Sequence, residues 1–195
     1  MSGILGKKIG MTRMQRPDGR IVSVTLVLCE ENTITQVKTA GKDGYSAIVV
    51  GTGKFKKPRK TVPFRWMREF KIEEKETEGY KKGDVLNLEG FKEVKKVEID
   101  GVSKGKGFQG TIKRYHFRSG PGSHGSHFHR EPGSVGMRAK PGRIMRGKKM
   151  PGRMGLDSVN QKNVEVMHVD PSKNLIALKG SLPGANGSMI IIKKS

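Results

Sequence analysis

Residues 104–155 limit what this chain can be. They hold thirteen Lys or Arg residues against a single acid, Glu131, for a net of +12 in about a quarter of the chain. The stretch is dense in Gly and Pro and has almost no periodic apolar pattern. Such a segment cannot bury enough apolar side chain to offset the entropy of ordering itself. A loop this long without a core of its own is functional or disordered. Its charge calls for an anionic partner, and its glycines for backbone that approaches that partner closely or adopts positive φ. The expectation is an arm that orders on its partner, with 107–115 its one candidate for a short helix.

The whole chain agrees in sign: 39 Lys and Arg face 18 Asp and Glu over 195 residues, a net of +21. RNA, DNA and an anionic membrane surface are the partners that relieve such self-repulsion. The membrane fits poorly, because no apolar run approaches bilayer length and the cations do not line one face of an amphipathic helix. The opening Met1-Ser2-Gly3-Ile4-Leu5-Gly6-Lys7-Lys8 has no apolar h-region and no small-residue cleavage site, so secretion is not expected. Cys29 is the sole cysteine, which excludes a disulfide framework and a Cys-based zinc site. It reads as a small buried residue in a reducing compartment.

The flanks of the cationic segment read as β-structure. Val22, Val24, Leu26 and Leu28 alternate with Ser23, Thr25 and Val27, the pattern of a half-buried strand, between the turns Pro17-Asp18-Gly19 and Glu30-Glu31-Asn32. Residues 34–38, 45–50, 85–88 and 94–99 are further short strands, a spacing that suggests a sandwich or small barrel. After the arm, 164–169, 175–178 and 189–192 form a meander that completes the same sheet system. The mixed charges of 69–82 read as a solvated surface excursion. The division predicted is a discontinuous body, 1–103 and 156–195, and an extension, 104–155.

Three motifs in the extension mimic catalytic ones. Gly105-Lys106-Gly107-Phe108-Gln109-Gly110 matches a dinucleotide fingerprint, but Gly, Pro and His follow it instead of a second apolar strand. The same glycines among lysines suit a phosphate-cradling turn on RNA. Gly142-Arg143-Ile144-Met145-Arg146-Gly147-Lys148-Lys149 approaches a P-loop, yet Lys149 stands where Ser or Thr must hold magnesium. His124, His127 and His129 suggest a metal site or nuclease pair, but Glu131 is the only nearby carboxylate and the surrounding charge repels cations. No cofactor, no metal and no enzymatic activity are therefore expected. Arg planes, Tyr115, Phe117, Phe128 and the His rings suit stacking on unpaired bases, which is the RNA mode. His116 belongs to the same surface, and His168 reads as a plain sheet-surface residue. The arm's methionines read as flexible fillers against nucleotides. Helix-turn-helix, heptad, zinc-finger and RRM signatures are missing. A His-based nuclease and an architectural DNA binder remain as alternatives.

Ser103-Lys104-Gly105-Lys106-Gly107-Phe108-Gln109-Gly110 with Lys113-Arg114 closely resembles the arm entry of the universal large-subunit ribosomal protein of the L-three family, bacterial type. So do Arg130-Glu131-Pro132-Gly133-Ser134-Val135-Gly136 and Gly147-Lys148-Lys149-Met150-Pro151-Gly152-Arg153-Met154-Gly155. The opening Gly6-Lys7-Lys8-Ile9-Gly10-Met11-Thr12 and the closing Lys179-Gly180-Ser181-Leu182-Pro183-Gly184 match as well, so the resemblance spans nearly the whole chain. It implies a mainly β fold: a small closed six-stranded barrel of the translation-protein type with a long, mostly irregular basic extension. It implies a cytoplasmic structural constituent of the large subunit, whose extension threads 23S-type rRNA near the peptidyl-transferase region and supports early assembly. It also implies neighbours from the L-fourteen and L-nineteen families, with no membrane contact and no homo-oligomer. Two departures stand out. Arg153 replaces a methylatable glutamine of the family, and the 54–70 region is short and lacks the family's Gly-His-Phe stretch. The residues expected to contact rRNA are Lys104, Lys106, Lys113, Arg114, Arg118, His124, His127, His129, Arg130, Arg138, Lys140, Arg143, Arg146, Lys148, Lys149 and Arg153.

Overall fold

The computed structural model describes residues 3–57, 63–77 and 79–194. Part of the shortened 54–70 region, and Met1 and Ser2, lie outside them. The strands run β1 (Gly3–Gln15), β2 (Ile21–Leu28), β3 (Asn32–Lys38), β4 (Ala47–Lys54), β5 (Phe64–Lys71), β6 (Val85–Leu86) and β7 (Lys96–Val102). They continue as β8 (Gly107–Gln109), β9 (Gly152–Met154), β10 (Ser158–Asp170), β11 (Leu175–Lys179) and β12 (Met189–Lys194). Among the described residues, three short α-helices intervene, α1 (Ala40–Asp43), α2 (Glu74–Thr77) and α3 (Thr111–Tyr115), with one 3-10 helix, Leu88–Phe91. None among the described residues is long and apolar enough to cross a membrane. The chain divides into two compact units, Met1–Ser103 with Ser158–Ser195, and Lys104–Asp157.

In the first unit six strands pair antiparallel around a ring, β1–β12–β7–β10–β11–β2 and back to β1. Each is bonded on both sides, so none of the six presents a bare edge. The four remaining strands of this unit form a separate sheet in the order β5–β4–β3–β6. The expected C-terminal meander is not what forms. β11 lies between β10 and β2, while β12 lies between β1 and β7, so the last strand leaves its predecessor and closes the ring.

Alternation explains why two cores coexist. On β12, Ile190 and Ile192 join a first cluster with Ile4, Val27, Ile99, Ile176 and Phe91. Met189 and Ile191 point the other way, into a second cluster with Leu5, Ile34, Ile48, Val50 and Phe70. A strand covered on both faces reads as a continuous apolar run, which is why Met189-Ile190-Ile191-Ile192 shows no polar alternation. β1 splits the same way, with Ile4 in the first core and Leu5 in the second.

From Thr25 to Leu28 the expected face of β2 is reversed, although Val24 is buried as expected. Val27 lies opposite Ile176 and Thr25 opposite Leu178, and Val27 and Cys29 belong to the first core. Thr25 and Val27 therefore face the first core, while Leu26 and Leu28 lie half-buried on the other face, where Val24 is fully buried. Thr25 tolerates full burial because its hydroxyl donates to the Gly180 carbonyl at 2.6 Å. A Thr inside and leucines outside invert the apolar signal on which the expectation rested.

Two buried polar side chains fasten these layers. Asn32 accepts from the Leu5 N–H at 2.9 Å and donates to the Leu5 and Glu30 carbonyls at 3.0 and 2.8 Å, tying β3 to β1. Lys8, from the opening motif, is 5% exposed. Its ammonium donates to the Leu182 and Gly184 carbonyls at 2.8 and 3.1 Å, pinning the turn before β12. Cys29 is buried as expected, and burial pushes its thiol up to about 12.

Candidate nucleic-acid interface

The second unit begins with a short clasp. β8 pairs antiparallel with β9, Gly107 opposite Met154 and Gln109 opposite Gly152, and the Lys106 N–H donates to the Met154 carbonyl at 2.9 Å. Gly155 is required where the strands meet. It sits at φ +79°, and a Cβ there would fall 2.1 Å from the Lys104 carbonyl oxygen. The expectation of a helix over 107–115 is half met. Residues 107–109 are strand, and α3 begins only at Thr111, because backbone pairing with β9 claims the glycine-rich part. His116 closes α3 in the left-handed region at φ 60° and donates its N–H to the Ile112 carbonyl.

Arg114, on α3, faces inward. Its Nη1 donates to the Met150 carbonyl at 2.8 Å, and its guanidinium carbon lies 4.9 Å from the Tyr115 ring centroid. Lys149 approaches the same ring, its Nζ 5.6 Å from the centroid. Phe117 packs at a tilt beside Tyr115, 6.4 Å between centroids. Gly152 makes room for this arrangement, since a Cβ there would lie 2.5 Å from Arg114 Nη1. Tyr115 and Phe117, expected as base-stacking platforms, are thus half-buried and already engaged.

Farther out the chain folds back on itself without regular structure. The Gly120 N–H donates to the His129 carbonyl at 3.2 Å, and the His129 ring nitrogen lies 3.0 Å from the Pro121 carbonyl. A Cβ at Gly120 would fall 1.8 Å from the Phe128 carbonyl oxygen, so only glycine permits this close return. Beyond it, residues 131–149 are all exposed. Ile144 and Met145, flanked by Arg143 and Arg146, line a recess of about 520 Å³.

Of the sixteen predicted contact residues, Lys104, Lys106, Lys113, Arg118, His124, His127, His129, Arg130, Arg138, Lys140, Arg143, Arg146, Lys148, Lys149 and Arg153 are exposed. Arg114 is the half-buried exception. Sequence reasoning missed Phe108, which is 71% exposed on β8 opposite Arg153. An aromatic between Gly107 and Gln109, with no apolar neighbour to pack on, was the available signal. Leu156, Met137 and Met145 are likewise exposed. Unpaired bases supply apolar planes to such side chains, with cations beside them for the phosphates.

The catalytic look-alikes lack their structural context. β8 is antiparallel to β9 and α3 spans five residues, so Gly105 to Gly110 does not sit in a βαβ unit. Residues 142–149 form bends and turns with no helix behind them to receive phosphate. Among the described residues no three His, Cys, Asp or Glu side chains gather to hold a metal ion.

A model of the family described as Ribosomal protein L3 matches residues 71–175. Among curated relatives, the large ribosomal subunit protein uL3 of Vibrio cholerae is 44% identical, across 99% of this chain and 98% of the relative. The uL3 of Borrelia hermsii is 42% identical, across 100% and 98%. That of Chlamydia pneumoniae is 40% identical, across 98% and 96%.

Proposed function

The chain belongs to the ribosomal protein L3 family, and on that premise we propose that residues 104–155 are its rRNA-binding extension. It is a structural protein of the large ribosomal subunit rather than an enzyme, and it works there in the cytoplasm. One observation carries the binding role. A segment of net +12 exposes fifteen of its sixteen candidate contact side chains and keeps its internal order with backbone bonds and glycines. That leaves the cations to neutralise phosphates and release counterions. Arg114 acts differently from the rest, holding the extension's base in shape.

The proposal extends to the finer features implied by the resemblance. The ring of six strands is the translation-protein-type barrel, and residues 1–103 with 156–195 are the body that carries the extension. The extension binds 23S-type rRNA near the peptidyl-transferase region, and it helps the subunit assemble early. Proteins of the L-fourteen and L-nineteen families are its neighbours. Arg153 adds an rRNA cation where relatives have a methylatable glutamine. Ultraviolet crosslinking of purified large subunits, with the crosslinked peptides sequenced, tests the central claim. The expected crosslinks join rRNA to peptides from 104–155. Crosslinks confined to other parts of the chain would refute it.

A further inference from the structure

The first unit carries a basic surface that the reading above does not use. A cleft of about 400 Å³ opens among β1, the end of β4 and the start of β5. Lys7, Lys54, Lys56 and Arg65 line it, against a single acid, Glu30. All four cations are exposed. Two aromatics share the wall: Trp66, half-buried, and Phe55, 44% exposed. The Arg65 guanidinium carbon lies 4.4 Å from the Trp66 ring centroid. Gly53 lets the indole rest close to the β4 backbone. A Cβ there would lie 3.3 Å from the ring, and the residue sits at φ +71°, which a side chain resists.

Each part of this wall points to one chemistry. The exposed Phe55 ring and the Arg65 guanidinium layered on the half-buried indole offer planes to a flat, unpaired base. The lysines sit beside the rings, where phosphates flanking such a base would run. The volume lies in the range of sites that take one small molecule, roughly 300–1,000 Å³. A duplex keeps its bases inside the stack and cannot fill the cleft. An acidic peptide would use the cations but leave the aromatic faces idle. We propose that this cleft binds an unpaired nucleotide of RNA, its base against Phe55 and the Arg65–Trp66 pair and its flanking phosphates on Lys7, Lys54 and Lys56.

Trp66 is the chain's only tryptophan and lines this cleft, so its emission reports on ligands that reach this wall. The full-length protein is titrated with a fluorescein-labelled adenosine hexanucleotide, reading tryptophan emission and label anisotropy together. Saturable quenching of Trp66 is expected. Combined Lys54→Ala and Lys56→Ala removes two phosphate contacts, each worth a salt slope of about 0.7 on single strands. The quenching midpoint should therefore weaken about 25-fold at 0.1 M salt, with the slope smaller by about 1.4. Combined Lys148→Ala and Lys149→Ala should leave the quenching midpoint unchanged, which separates this site from the extension. Binding seen by anisotropy without quenching would overturn the proposal, and so would no binding at all. Equal quenching by duplex RNA would refute base stacking. Quenching by a hexaglutamate peptide but not by the oligonucleotide would assign the cleft to a protein tail instead.

Discussion

Arg114→Ala separates the side chain that shapes the extension from those that meet its partner. In the wild type, Nη1 donates to the half-buried Met150 carbonyl at 2.8 Å, and a hydrogen bond from a charged donor contributes about 1.5–3 kcal/mol. The guanidinium also lies over Tyr115 at 4.9 Å, worth about 0.5–1 kcal/mol for a site with solvent access. Loss of both should cost ~2–4 kcal/mol, or roughly 30–900-fold in the opening equilibrium of the clasp. The Lys106 amide, which donates to the Met154 carbonyl, is the reporter. Its hydrogen exchange should accelerate by that factor while amides of the ring strands keep their protection. Gly152→Ala, whose methyl would displace the guanidinium, should do the same. On an rRNA fragment, Arg114→Ala should lower affinity with little change in salt slope, because a fold is lost rather than a phosphate contact. Unaltered exchange at Lys106, or a slope reduced as for an exposed lysine, would refute the inward role of Arg114.

Exposed cations should behave oppositely: combined Lys148→Ala and Lys149→Ala should leave Lys106 exchange intact and flatten the salt slope of rRNA binding by about 1.4, read by filter binding across salt concentrations. Asn32→Ala strands the buried Leu5 N–H and C=O, so urea unfolding should show a loss of about 3 kcal/mol or more, and a change under 1 kcal/mol would mean water replaces the amide. Cys29 should resist thiol reagents in the native chain at neutral pH and react fully in denaturant, since burial holds the thiol protonated. Its folded value of about 12 against an ordinary 9.0 makes its contribution complete below pH 9 and lost as pH rises from 9 to about 12. Relative to Cys29→Val, wild-type stability should therefore fall by about 1.4 kcal/mol per pH unit in that window, and parallel pH profiles would contradict the burial argument.

Composition and spacing alone marked the extension, because charge without apolar period is a property of the chain and needs no partner strand to be seen. They also placed the strands at 34–38, 175–178 and 189–192, where local β-propensity and burial agree. β1 and β5 escaped notice. β1 carries glycines, lysines and a bulge near Ile9, and β5 is a charged strand bonded only to β4. Their hydrogen-bond partners, rather than their side chains, make them strands. The inverted face of β2, the pairing of β1 with β12 from the far end of the chain, and the inward turn of Arg114 depend on contacts between residues distant in sequence. Sequence declares which residues carry charge and which prefer to leave water. Which face is covered, and by what, is decided only when separate segments compete for the same interior.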